Sequence, residues 1–285
     1  MEMSLARAYG NDLRGHSGPL NRTNVRNQLI SGGRTMIFYF TGTGNSYQAA
    51  LALCGEGETP LDLAKCLREG QRTFDLEKGE ALGIVCPVYY GGVPSTVLEF
   101  VRSLQVSNPP EYCYVLLTCA SSVSGAAGQL AEALGEQGLR LHAAYTVIMP
   151  ENDVIHYAIS PEEERDAILA DAAETLRVIE RCVAERRELG LHIPPRGRMI
   201  TQSAYPYYEQ DRETKHFHVD DQCVGCGKCV ERCPVAAMVM ENGRPKWVKD
   251  KCALCMACIR CGAVHYEEAT KGKKRYVNPI LKSCH

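Results

Sequence analysis

The chain has 285 residues, 45% of them hydrophobic and 23% charged, with a formal net charge of −2. This length suits two modest domains, the charge offers no basic field for nucleic acid, and no apolar run approaches the ~20 residues of a membrane span. Its 15 cysteines would suggest disulfides in a secreted chain, but residues 1–35 lack the apolar stretch of a signal peptide, so a reduced, cytoplasmic setting is expected.

Residues 1–35, rich in Asn, Arg, Gly and Ser without a sustained period, are expected to form a disordered extension, or to be a misassigned leader with Met36 as the real start. From there strand-like and helix-like segments alternate. Strands are expected over 36–41, 61–63, 82–87, 112–119 and 139–149, and helices over 45–54, 93–104 and 126–137. A long last helix is expected from Ser160 as N-cap and Pro161 as first helical residue to about Arg187. The alternation implies an α/β domain over 36–190 with a doubly wound parallel sheet covered on both faces.

The loop after the first strand reads Thr41-Gly42-Thr43-Gly44-Asn45-Ser46. Its glycines let the backbone approach a phosphate, its hydroxyls add donors, and the helix that follows adds partial positive charge, so a terminal phosphate is held without a lysine. A nucleoside-triphosphate loop would end in Gly-Lys-Ser/Thr. A dinucleotide site is the rival: Gly42 and Gly44 begin a G-x-G and Asp62 stands near the place of a ribose-binding acid, although Tyr47 replaces the third glycine.

Ligands of doubly wound sheets lie at the carboxyl ends of the strands. Two further loops are therefore expected at the site, Pro87-Val88-Tyr89-Tyr90-Gly91-Gly92 and Thr118-Cys119-Ala120-Ser121. The tyrosines would flank a flat aromatic ring, the glycines would bring amides to its polar edge, and the small residues would face its other side. Residues 191–216, with three prolines, are expected to be a linker to a second domain over 217–285.

That second domain carries Cys223-x2-Cys226-x2-Cys229-x3-Cys233-Pro234 and Cys252-x2-Cys255-x2-Cys258-x2-Cys261. Eight thiolates at these spacings are what a pair of cubane iron–sulfur clusters needs, whereas structural zinc prefers two separated Cys-x2-Cys pairs. In the first arrangement the fourth cysteine serves the other cluster, so Cys233 is expected to join Cys252, Cys255 and Cys258. The second copy is three residues shorter between its third cysteine and the following Ala-apolar pair, with Gly262 in place of proline. Two outcomes stay open there. Either Cys261 completes the cluster of Cys223, Cys226 and Cys229 from a tighter turn that Gly262 permits, or that cluster keeps three protein thiolates and a three-iron form. Exposed clusters oxidise, so an oxygen-poor setting is expected.

At residues 41–46 the chain resembles a flavodoxin. Joined to the cysteine motifs, it resembles the flavodoxin–ferredoxin fusions called EFR1 family ferredoxins from residue 36 to about 281. The likeness includes Pro87-Val88-Tyr89-Tyr90-Gly91-Gly92, Met149-Pro150-Glu151-Asn152 and Lys273-Lys274-Arg275-Tyr276. The resemblance implies a flavodoxin-like doubly wound domain binding FMN, followed by a small ferredoxin-like α+β domain with two [4Fe–4S] clusters.

The expected function is electron transfer between FMN and the clusters, with redox partner proteins of unknown identity. The alternative is a flavin-dependent reductase of a small molecule, which asks for a roomy pocket above Tyr89, Tyr90 and Cys119; a third reading is a redox sensor or assembly module. Cys54, Cys66, Cys86, Cys113 and Cys182 read as small apolar residues. The basic run Lys271, Lys273, Lys274 and Arg275 reads as solvated surface or as a dock for an acidic partner.

Overall fold

The computed structural model describes residues 34–191, 193 and 195–281. The expected extension, up to residue 33, and the terminal pair Cys284 and His285 lie outside the described residues. Five parallel strands form the main sheet: β1 (Thr35–Tyr39), β2 (Leu61–Asp62), β4 (Ala81–Pro87), β6 (Tyr112–Cys119) and β7 (Ala143–Ile148), in the order β2-β1-β4-β6-β7. Two short strands, β3 (Thr73–Phe74) and β5 (Gln105–Val106), pair with each other beside it. Setting that side pair apart, this is the 2-1-3-4-5 order of the flavodoxin-like fold, whose crevice lies where the winding reverses between β1 and β4.

Every residue of β6 and six of the seven in β4 are buried, as parallel strands covered on both faces require. Alternation along them feeds two apolar layers. Phe38, Ile84 and Val115 point to one, and Ile37, Val85 and Leu116 to the other. The register sets Tyr39 beside Val85 and Pro87 beside Thr118, so the three loops that follow emerge side by side.

Helices α1 (Asn45–Leu51), α3 (Ser95–Ser103), α4 (Ala126–Glu136) and α5 (Glu162–Ala184) stand where helices were expected. Ser160 is not the N-cap of α5. Pro161 takes that place in an extended conformation, and no side chain caps the helix; Ser160 instead offers its carbonyl to Arg165. Helix α2 (Leu63–Arg68) escaped the sequence reading because it has only six residues. Asp62 is its N-cap, accepting from the amides of Ala64 and Lys65. That role accounts for the acid which a dinucleotide site would have needed for a ribose.

The expected linker is mostly helix. Pro195–Asp211 forms α6 despite Pro206 inside it, with Tyr208 fully buried. Beyond it, β8 (Phe217–Val219) pairs antiparallel with β11 (Val264–Tyr266), and β9 (Met238–Glu241) pairs antiparallel with β10 (Arg244–Trp247). A one-turn helix α7 (Lys228–Glu231) lies in the first cysteine motif, and a 3₁₀ turn, Ile259–Cys261, stands in the second. This small α+β unit is ferredoxin-like. It is packed onto the first domain, since Ala253, Cys255 and Ala257 belong to the same apolar cluster as Phe38, Val97 and Leu98.

Candidate redox site

A cleft opens at the carboxyl ends of β1, β4 and β6. Of the expected residues it is lined by Thr41, Gly42, Thr43, Asn45, Ser46, Pro87, Val88, Tyr89, Thr118, Cys119 and Ala120. The sequence reading of the residues had not placed Met149, Pro150, Glu151 and Asn152 there, and they close its far side. Their signal was the stop after the last strand, because a strand end in this fold faces the same crevice.

The hydroxyls of the first loop are held and still able to donate. Thr41 Oγ1 accepts from the Gly44 amide at 3.0 Å, and Thr43 Oγ1 accepts from Asn152 Nδ2 at 2.7 Å; a hydroxyl that accepts keeps its own O–H. Ser46 and Thr118 share a hydrogen bond of 2.8 Å. The amides of Gly42, Thr43, Asn45 and Ser46 meet no acceptor among the described residues. Tyr89 adds an orphan of its own, a buried hydroxyl without a partner among them. Such donors are costly to bury unsatisfied, and an oxygen-rich ligand with a polar ring edge fits them. Burial pushes the Cys119 thiol up to about 12, with the charge of Glu151 adding to it, so the thiol beside the cleft is neutral.

Three of the expected flavin-loop residues, Tyr90, Gly91 and Gly92, also contact the C-terminal part of the chain. Tyr90 and Gly91, at φ 52° and 72°, are the centre of a tight turn closed by reciprocal bonds between Tyr89 and Gly92. This is the primed turn geometry that favours glycine. Tyr90, strained there, is held by donating to Asp211 Oδ2 at 2.6 Å. A Cβ on Gly92 would lie 2.3 Å from the Tyr205 ring, and Thr201 donates to the Gly91 carbonyl. Tyr90, Gly91 and Gly92 therefore dock α6, and neither they nor Ser121 line the cleft.

The glycines of the first loop show the same pattern. A Cβ on Gly42 would stand 1.8 Å from the carbonyl oxygen of Cys255, so the second cysteine loop rests directly on the loop that lines the cleft. Gly44 takes φ 104° and lies under Asn278 and Leu281. Asn278 donates from its amide to the Thr43 carbonyl, and from its side chain to Asn45 and Gln48, while the Tyr276 hydroxyl donates to Asn45 Oδ1. Helix α6 joins from the other side. Tyr208 donates to the Ala253 carbonyl at 3.3 Å, and Arg212, just past the helix, donates to that of Cys252 at 2.8 Å.

The two cysteine loops repeat one backbone shape. Gly225 and Gly227 flank Cys226 at φ 69° and 73°, and Leu254 and Met256 flank Cys255 at φ 50° and 62°. Left-handed residues on both sides of the middle cysteine turn successive amides inward, the concavity that receives an anionic centre. Two non-glycine residues adopt this costly conformation in the second loop, a mark of a functional constraint. Amides also point at sulfur, from Ala237 to Cys233 at 3.2 Å and from Leu254 to Cys252 at 3.3 Å.

The thiols fall into two groups. Burial raises Cys258, and the charges of Cys255, Cys252, Cys233 and, least, Cys229 add to it; burial pushes Cys252 up to about 11, with Cys233 again adding. Cys229 is raised by burial and then by Cys261, with Cys223 a smaller neighbour. The charge of Cys233 is thus felt in the second motif and that of Cys261 in the first, with Cys229 and Cys258 near each other between them. Gly262 takes φ 85°, and Ala236 takes φ 47° at the same place before the Ala-apolar pair of the first motif. Among the described residues no three Cys, His, Asp or Glu side chains converge tightly enough for a single metal ion.

Residues 215–277 match the family model of the 4Fe-4S dicluster domain. None of the curated proteins compared matches the chain. Among solved structures, it is similar to a short-chain flavodoxin associated with a non-canonical PDU bacterial microcompartment, at 19% identity and TM-score 0.32, over 52% of this chain and 99% of that one. It is similar to a flavodoxin from Streptococcus pneumonia TIGR4 at 16% identity and TM-score 0.27, over 52% and 99% of the two chains. For a flavoprotein in complex with FMN from Lactobacillus acidophilus the values are 15% and 0.25, over 40% and 93%. The strand order, rather than these likenesses, carries the fold.

Proposed function

We propose that the chain is an electron-transfer flavoprotein of the EFR1 ferredoxin type, exchanging electrons within one molecule between FMN in the cleft and two [4Fe–4S] clusters on the cysteine loops. The observation that carries this reading is the contact of the Cys255 carbonyl with Gly42, because it makes the wall of the cleft and a cluster-binding loop one packed unit. FMN exchanges electrons singly or in pairs while each cluster passes one, so the pair links the two kinds of traffic.

The chain's own residues bind, orient and exclude water. The loop amides of 42–46 and the hydroxyls of Thr41 and Thr43 hold the phosphate, and the Tyr89 hydroxyl meets the ring's polar edge. Cys233, Cys252, Cys255 and Cys258 hold the cluster next to the cleft. Cys223, Cys226, Cys229 and Cys261 hold the second, which favours a complete four-thiolate site over the three-iron form. Tyr208 and Arg212 fix the inner loop from behind through its carbonyls, and Tyr208 stands over Tyr89, with ring centroids 6.0 Å apart. Of the three residues a small-molecule reductase would use, Tyr89 and Cys119 line the cleft while Tyr90 packs against Tyr208 of α6.

Anaerobic purification with flavin and iron analysis tests the reading. The expected result is one FMN and about eight iron and eight sulfide per chain. NAD or FAD in place of FMN, or zinc in place of iron, would sink it.

A further inference from the structure

The run Lys271, Lys273, Lys274 and Arg275 reads from the sequence as solvated surface or as a dock, yet two of its members turn inward. Lys273 donates to the Val154 and Ile155 carbonyls at 2.9 and 3.1 Å. Arg275 donates from Nε to the Ile259 carbonyl at 3.3 Å and from Nη1 to that of Lys273 at 2.9 Å. Lys271 and Lys274 stay exposed. Tyr276, the next residue, is buried and donates to Asn45, so the backbone on both sides of Arg275 is tied to the first domain.

The guanidinium thereby closes on the 3₁₀ turn Ile259–Cys261. The Ile259 carbonyl also accepts from the Gly262 amide at 3.1 Å, so Arg275 and Gly262 share one acceptor where the second cysteine motif is shortened. Arg275 is half-buried and pairs with no carboxylate among the described residues. Burial pulls its guanidinium below the ordinary value, and the charge of Cys261 opposes that shift; the charged neighbour of this cation is a sulfur. Arg260, although next to Cys261 in sequence, has Arg232 as its charged neighbour instead. At the other centre Arg212 donates from Nε to the Cys252 carbonyl at 2.8 Å, but its Nη1 also reaches Glu209 at 2.9 Å, so a carboxylate stands beside that cation.

We propose that Arg275 is a positioning residue of the centre of Cys223, Cys226, Cys229 and Cys261: it clamps the short turn that carries Cys261 and sets a fixed positive charge beside that sulfur, which raises the reduction potential of this centre. The inference rests on the cluster assignment above. Reduction adds one electron, and with it one negative charge, to the centre, while no bond forms or breaks. A guanidinium does not lose its proton in a protein, and a cation held in a part-buried place favours the added charge more than one in open water. Glutamine and lysine separate the two roles, because both keep a donor for the Ile259 carbonyl and only lysine keeps the charge.

The test is an anaerobic redox titration of the iron-loaded full chain with dithionite and mediators, read by paramagnetic NMR, in which the cysteine β-protons of the two centres are followed separately. In Arg275→Gln the ratio of reduced to oxidised form at the wild-type midpoint should fall about tenfold at the centre of Cys223, Cys226, Cys229 and Cys261, and less than about twofold at the other. Arg275→Lys should stay within about threefold of wild type at both. If Arg275→Gln loses the fourth iron of the first centre, Arg275→Lys decides: a four-iron centre near the wild-type potential supports the proposal, and a three-iron EPR signal there as well overturns it. An unchanged potential in Arg275→Gln, equal shifts at both centres, or a fall in Arg275→Lys as large as in Arg275→Gln would also overturn it. Iron analysis keeps the two readings apart: a chain without iron defeats the cluster assignment, while an iron-loaded chain whose potentials are indifferent to Arg275→Gln defeats the role of Arg275 alone.

Discussion

Gly42 and Tyr89 carry the account at the scale of single residues. The sequence presents Gly42 as a phosphate-loop glycine, yet its missing side chain is what admits the Cys255 carbonyl. Gly42→Ala must therefore push two backbones apart, at a cost of about 1–3 kcal/mol. Thermal unfolding should show the loss even in protein stripped of FMN. An unchanged midpoint would mean that the two domains do not pack through this contact. Tyr89→Phe separates cofactor binding from folding in the opposite way. Its hydroxyl has no partner in the protein itself, so the change should leave the flavin-free protein as stable as wild type or slightly more so. FMN affinity should fall about three- to tenfold, the worth of one hydrogen bond. Fluorescence titration with FMN reads this directly, and equal affinity would remove Tyr89 from the site.

At the scale of elements, the central strands and the cysteine loops were the most legible parts. β6 (Tyr112–Cys119) was found residue for residue, because a fully buried run bounded by polar turns leaves little choice of ends. Helix α6 was not legible. Its prolines argue for a linker, and Pro206 gives up an internal hydrogen bond at about 3 kcal/mol. Tyr208, fully buried, and Tyr205, half-buried and donating to the Val93 carbonyl, offset that cost, and no local pattern announces such packing. The contact of the turn at Tyr90 and Gly91 with α6 was not legible for the same reason, since it is made by a helix more than a hundred residues later. The crossed cysteines make the element-scale prediction. Cys233→Ala should damage the centre of Cys252, Cys255 and Cys258 and spare the other. Cys261→Ala should convert the centre of Cys223, Cys226 and Cys229 to a three-iron EPR signal. If wild type already shows that signal and the variant leaves it unchanged, Cys261 is not a ligand despite its place beside Cys229.

For the whole molecule, the two domains share an apolar core through Ala253, Cys255 and Ala257. A small unit poor in large apolar residues depends on its metal centres to fold, so chelation under reducing conditions should melt residues 217–281. Because the interface is core-like, the loss should also lower the melting temperature of the flavodoxin-like half rather than leave it untouched. Calorimetry of the iron-free chain checks both effects, and two undisturbed transitions would show that the domains are merely tethered. The central claim is that electrons pass between the cysteine loops and the cleft within one chain. Pulse reduction of the iron–sulfur absorbance, followed at the flavin wavelengths over a series of protein concentrations, tests it most directly. The account predicts a rate of flavin reduction independent of concentration and slowed in Gly42→Val, where the loops are forced apart. A rate that rises in proportion to protein concentration, or clusters that stay reduced beside an oxidised flavin, would contradict it.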